Sequence, residues 1–190
     1  MANMASVAYA IEGPKETLEK IQQAIIKAME TNKDFWTEAK TCEILEMSAT
    51  ERNNKRLGGE ISEEPYFDES SGALRFSAEE RWGLQDFVNC LEIRFPDIKA
   101  YWSVVEPDCE VYCTNDKEGK YFPQRFFVDT AQDDVYQSEY FQTEEAMYEW
   151  LNEKYGVKTK EEVDAWNQDY EATGDDCENF IYIHEFEIVD

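Results

Sequence analysis

The residues able to do chemistry in this chain are few, and their spacing narrows what that chemistry would be. His184 is the only histidine among 190 residues, so a catalytic triad, a histidine metal site or an imidazole acid-base pair would have to run through it. Strand alternation places it on one face with Phe180, Tyr182, Phe186 and Ile188, where a histidine is expected to be a packed residue with locally satisfied ring nitrogens. Cys109 and Cys113 form a C-x-x-x-C pair. In an extended strand the two lie on one face about 13 Å apart, at ~3.3 Å per residue, too far to share a metal or a disulfide. No second pair completes a zinc set. With Cys42, Cys90 and Cys177 the cysteines number five, an odd count without a disulfide framework, which points to reduced thiols.

Asp169, Glu171 and Thr173, followed by Gly174, imitate the first half of an EF-hand loop. The last loop position, where a bidentate glutamate belongs, is Phe180, so no specific calcium site is expected, although Asp175, Asp176 and Glu178 leave room for weak cation binding. Carboxylate pairs at separations suited to glycoside hydrolysis arise by chance among 43 acids. No catalytic residue, metal ligand or cofactor is assigned, and a carboxylate-based enzyme ranks third among the functional readings.

Acids and aromatics, by contrast, are concentrated. The formal net charge is −25, and residues 96–190 hold 25 acids against 7 bases, a net of −18, where residues 1–95 carry −7. After Lys160 the last 30 residues contain 11 Asp and Glu and no Lys or Arg. A second base-free window, between Arg125 and Lys154, holds Asp129, Asp133, Asp134, Glu139, Glu144, Glu145, Glu149 and Glu153, interleaved with Tyr136 and Tyr140. These ten residues are the candidate partner-binding face, because carboxylates framing exposed aromatics suit a protein interface. Such a surface repels nucleic-acid phosphates and anionic lipid and speeds encounter with basic proteins. The expected partner is therefore a basic protein, with no direct binding of nucleic acid or membrane. Ordered carboxylates can also stand in for the phosphates of a duplex. The plain alternative is an acidic accessory or scaffold domain, without mimicry, whose charge maintains solubility.

Arg52, Lys55 and Arg56 form the one basic cluster. It has no Gly-rich phosphate-loop spacing around it, and Gly58–Gly59 is too short to supply one, so it reads as a solvated loop pairing with the protein's own acids.

High charge suggests disorder, yet 42% of the residues are hydrophobic and 14% aromatic, enough for a packed core. No secretory apolar segment opens the chain and no apolar run approaches the ~18 residues of a membrane span. The expected location is the cytoplasm.

The elements that must position these residues follow from periodicity. Ser6 to Glu12 alternates as a strand, and Leu18, Ile21, Ile25 and Met29 give a helix over about 14–30 with Pro14 at its start. Thr41 to Met47 is expected to be a second strand, and residues 48–72 an irregular connection. Ala73 to Glu79 reads as a third strand. Leu84, Phe87, Val88, Leu91 and Phe95 describe a helix ended by Pro96, and Ile98 to Val105 an interior strand. The order is βαββαβ, which predicts an α+β fold with a ferredoxin-like core and an antiparallel sheet.

The segment Tyr9-Ala10-Ile11-Glu12-Gly13-Pro14 with its helix, and the segment from Arg81 and Trp82 through Phe95, Pro96 and Asp97 to Trp102 and Glu106, resemble the ferredoxin-like family named for YubB, found on plasmids and in phages. The resemblance covers roughly residues 4–115. It departs after Glu106, where Pro107, Asp108 and Cys109 replace glycines, and the family's prolines after the Trp are missing. It implies a phage or mobile-element origin and supplies no catalytic residues.

Beyond residue 106 an acidic α+β extension, packed on the same sheet, is expected to run over 107–190. Glu110 to Thr114 and Tyr121 to Val128 read as strands paired around Asn115–Gly119, and Asp134 to Phe141 continues the meander. Thr143 caps a helix that stops near Gly156, Thr159 and Glu162 form a capping box for another, and Phe180 to Val189 alternates as a closing strand. The functional expectation is a non-enzymatic acidic protein that inhibits a basic nucleic-acid-binding protein by phosphate mimicry, as anti-restriction and other anti-defence inhibitors do.

Overall fold

Alternation in Met4–Glu12 (β1) sends Ala5, Val7, Tyr9 and Ile11 to one face, where all four are buried. The computed structural model describes residues 4–31, 36–52, 57–81, 85–173 and 178–189. It is mixed α+β with antiparallel sheets, and the chain divides into one unit of residues 1–117 with 188–190 and another of 118–187.

In the first unit, Lys15–Thr31 (α1) lays Leu18, Ile21 and Ile25 into the core formed by the buried face of β1. Thr37–Ile44 is a helix (α2). Gly59–Ile61 (β2) and Tyr66–Phe67 (β3) pair in succession along one edge of Leu74–Arg81 (β4). Asp86–Arg94 (α3) buries Phe87, Val88, Cys90 and Leu91 in the same core as α1. Lys99–Glu106 (β5) then lies on the other side of β1 from β4, and Val111–Thr114 (β6) follows a 3-10 turn at Pro107–Cys109 and pairs with β5.

In the second unit, Phe126–Gln132 (β7) is flanked by Val135–Phe141 (β8) and, farther along the chain, Phe180–Glu185 (β9). Between them come Glu144–Tyr155 (α4) and Lys160–Thr173 (α5). Thr143 Oγ1 accepts from the Ala146 amide at 3.2 Å, and Gly156 ends α4 at φ +75°, a conformation that favours glycine. Thr159 Oγ1 accepts from the Glu162 amide at 3.3 Å, while the Glu162 carboxylate accepts from Lys158 at 2.6 Å, one residue earlier than a capping box predicts. Glu187–Ile188 (β10) returns to the first unit's sheet, whose order is β10-β6-β5-β1-β4-β2 with β3 beside β4.

Four expectations require correction. Thr41 to Met47 is not a strand, because its first half completes α2. The buried stripe of that helix is Thr37, Glu38, Thr41 and Cys42, in which a carboxyl and two hydroxyls occupy positions that a hydrophobic pattern leaves blank. Residues 48–72 are not wholly irregular, since β2 and β3 lie there. The strands of Glu110–Thr114 and Tyr121–Val128 do not pair with each other: β6 joins β5, and β7 starts at Phe126 in the second unit's sheet. The closing strand is interrupted at Phe186, between β9 and β10, where the Phe186 amide donates to the Arg125 carbonyl at 2.8 Å, in register with the β7–β9 pairing. The division between units falls after Lys117.

Candidate interaction surface

The side chains that could meet a partner are sorted by the two-residue period of the second unit's sheet. Val128 on β7 and Ile181 on β9 pack with Met147 and Leu151 of α4 and Val163 of α5, so this side of the sheet is covered by both helices. The alternate residues face away from the helices. Across the strands they form the rows Tyr136–Ala131–Phe180, Ser138–Asp129–Tyr182 and Tyr140–Phe127–His184.

The ten candidate residues all lie in this unit, and they fall on different sides of it. Asp129, Tyr136 and Tyr140 are on the helix-free face. Glu145, Glu149 and Glu153 recur every four residues along the exposed side of α4, opposite Met147 and Leu151, so they point away from the sheet's other face. Glu144 is exposed in the first turn of α4, where a carboxylate complements the helix dipole. Glu139 is exposed on β8, in a helix-side row. Asp133 and Asp134 make the two-residue turn between β7 and β8, with φ of 49° and 62°, the signature of a type I′ hairpin. Asp134 is committed locally, because its carboxylate accepts from the Glu178 amide at 2.7 Å.

On the helix-free face the rings touch one another. Phe180 and Tyr182 stack with centroids 4.7 Å apart and planes 17° from parallel, Tyr136 lies 6.2 Å from Phe180, and Phe127 lies 4.9 Å from Tyr140. The Tyr136 hydroxyl donates to Glu178 at 2.6 Å, and that bond holds the phenol above its ordinary pKa. Ser138 donates to Asp129 at 3.0 Å. The His184 ring lies 6.1 Å from that of Phe127.

No protein-family model, curated protein or solved structure matches this chain.

Among the described residues no group of three or more His, Cys, Asp and Glu is arranged to hold a metal ion, and no helix is long and apolar enough to cross a membrane. Asp169 to Thr173 continue α5 as helix rather than opening a loop, while Gly174, Asp175 and Asp176 lie outside the described residues. Lys55 and Arg56 of the basic cluster also lie outside them. Cys109 is exposed in the 3-10 turn and Cys113 is half-buried on β6.

Sequence reasoning missed one constellation altogether. In the first unit Glu38 of α2, Glu80 of β4 and Tyr9 of β1 meet in the core, with exposures of 1%, 2% and 1%. Tyr9 donates its hydroxyl proton to Glu80, and Glu38 Oε2 accepts from the Gly59 amide at 2.8 Å. Burial, the facing Glu80 charge and contact with the Glu80 carboxyl all push Glu38 well above the usual carboxylate range. Burial likewise carries Glu80 to about 7, against the hydrogen bonds from Tyr9 and Glu38. The second Glu38 oxygen has no donor when both carboxyls are ionised, and a proton shared between the two supplies one. Exposures this low leave a substrate no route to the carboxyls, so the cluster is a proton-bearing structural element. Its only available signal was a glutamate on the apolar side of α2.

A polar cavity of about 330 Å3 opens between α3 and β5, lined by Gln85, Asn89, Glu92, Trp102 and Asn115 among others. Glu92 already accepts from the Ala100 amide and Asn115 bonds both Trp102 and Ala100, which leaves few polar atoms to orient a ligand.

Proposed function

We propose that this chain is a non-enzymatic acidic binding protein whose second unit occupies a basic, nucleic-acid-binding partner in place of nucleic acid, the mode of anti-restriction and other anti-defence inhibitors. The observation that carries this reading is the exposed row Glu145, Glu149 and Glu153, held by a capped helix in a unit with 19 Asp and Glu against 5 Lys and Arg, a net of −14. Four-residue steps on a helix space these carboxylates by about 6 Å of rise, against one charge per ~3.4 Å along a DNA strand. The row is sparser than a phosphate backbone and presents the same kind of fixed acceptor to Arg and Lys. The order β5-β1-β4-β2, with α1 and α3 in one core, supports reading the first unit as a ferredoxin-like core. The resemblance to the family named for YubB supports a phage or mobile-element origin.

One observation favours a second reading. Asp129 and the α4 glutamates lie on opposite sides of the second unit, as expected if the charge serves an acidic scaffold and its solubility without mimicry. The test is competition. The chain, added to a basic protein captured from its native host, should displace duplex DNA from it, with an affinity that falls as salt rises from ~50 to ~500 mM. Reversal of Glu145, Glu149 and Glu153 to Lys should abolish the displacement. Displacement indifferent to salt and to charge reversal would overturn the mimicry.

A further inference from the structure

The helix-free face of the second sheet carries rings that are in contact with one another and still open to solvent. Tyr136 is 59% exposed and Tyr182 54%, although each ring lies against that of Phe180. Two large exposed rings on the outer strands of one sheet face, joined through Phe180 into a single patch, are a feature that marks interaction surfaces. Each has a carboxylate beside it. Asp129 is directly paired across the strands with Tyr182, which sets their Cβ atoms about 5 Å apart, and Glu178 accepts the hydrogen bond of Tyr136.

Charge decides what such a face can hold. An apolar partner would strip water from Asp129 and Glu178 and return nothing to them. A nucleotide base would stack on the rings, but its phosphates would enter the field of a unit carrying −14. Lysine can set its ammonium over a ring, as Lys99 does over Tyr101, but as a strongly hydrated point charge it offers neither a planar stack nor a fork for the carboxylate. Arginine answers both features, because its planar guanidinium lies over an aromatic ring while its N–H fork reaches a carboxylate at the ring's side.

We propose that this face is a receptor for arginine side chains of a protein partner, one guanidinium stacking on Tyr182 and donating to Asp129, a second on Tyr136 and donating to Glu178. The inference rests on the reading of the chain as a binder of basic proteins and adds to it a site and a residue preference that the α4 glutamates, acting through charge alone, do not confer.

The full chain is titrated calorimetrically with an oligo-arginine peptide and an oligo-lysine peptide of equal length, at fixed salt. The wild-type protein should bind the arginine peptide about two- to fivefold more tightly for each ring engaged. The double variant Tyr136→Ala/Tyr182→Ala should bring the ratio of the two affinities close to one. Tyr182→Phe, which keeps the ring, should preserve the ratio. Glu145→Gln/Glu149→Gln/Glu153→Gln should weaken both peptides alike and leave the ratio intact. Because both tyrosines are more than half exposed, thermal unfolding should show the alanine variant folded. A wild-type ratio near one, or a ratio unchanged in the double alanine variant, overturns the arginine receptor while leaving the basic-partner reading in place. Binding of neither peptide overturns both.

Discussion

Glu38 on α2 accepts the amide proton of Gly59 on β2 at 2.8 Å, on the outer edge of the first unit's sheet. Its neighbour Thr37 accepts from Ile61 at 2.6 Å. Two helix side chains thus take the amides that an edge strand would otherwise offer to another chain. The second unit uses the same device, since Asn167 of α5 both donates to the Ile181 carbonyl at 3.0 Å and accepts from the Ile181 amide at 2.9 Å on β9.

Gly59 has no room for a side chain, because a Cβ there would collide with the Glu38 carboxyl. Gly59→Ala should therefore displace Glu38 and destabilise the protein by about 2 kcal/mol or more, combining overpacking with a lost hydrogen bond to a buried acid. The shift of the urea midpoint measures this. A substitution at Gly58, where a Cβ would meet only the Arg81 side chain at 3.6 Å, serves as the control and should be near neutral.

The Glu80 carboxyl makes stability depend on pH with a definite sign. Its pKa stands at about 7 in the folded chain against an ordinary 4.5, so the folded state binds the proton more tightly. The resulting stabilisation is complete below about pH 4.5, declines as pH rises, and is lost above about 7, a span worth on the order of 3 kcal/mol. Glu80→Gln should flatten this part of the curve of unfolding free energy against pH. An identical decline in the variant would show that Glu80 ionises without cost.

Asn167→Ala leaves both backbone groups of Ile181 without their side-chain partner. The expected loss is about 1–3 kcal/mol, together with faster hydrogen exchange at the Ile181 amide. Unchanged protection of that amide would mean that the edge of β9 is closed by something other than α5.

Thiol chemistry should divide the cysteines by position. Cys42 and Cys90 are buried, and contact with Cys90 followed by burial holds the Cys42 thiol above its ordinary pKa. Cys109 is exposed. Alkylation followed by peptide mapping should find Cys109 modified in the native protein well before Cys42 and Cys90, which react only on unfolding. Equal rates at all three would contradict the packing of α2 against α3.

Where one periodicity ran uninterrupted, the elements were legible. The apolar stripes of α1 and α3, the alternation of β1 and β4, and Thr143 and Gly156 at the ends of α4 all lie where local preference and packing agree. α2 and β2 were not legible for a common reason: each depends on the other. Glu38 and Thr37 are buried because β2 offers them amides, and Gly59–Ile61 is a strand because β4 and these two side chains bond it from both sides.

The amino-acid sequence by itself determined the sign and amount of charge, the mixed α and β elements and the aromatic content of the second unit, since all of these follow from residue type and local order. Only the tertiary structure decided that Asp129, Tyr136 and Tyr182 share one sheet face while Glu145, Glu149 and Glu153 stand behind the opposite one. Neighbours across strands are set by register, and register is a long-range property that sequence spacing does not contain.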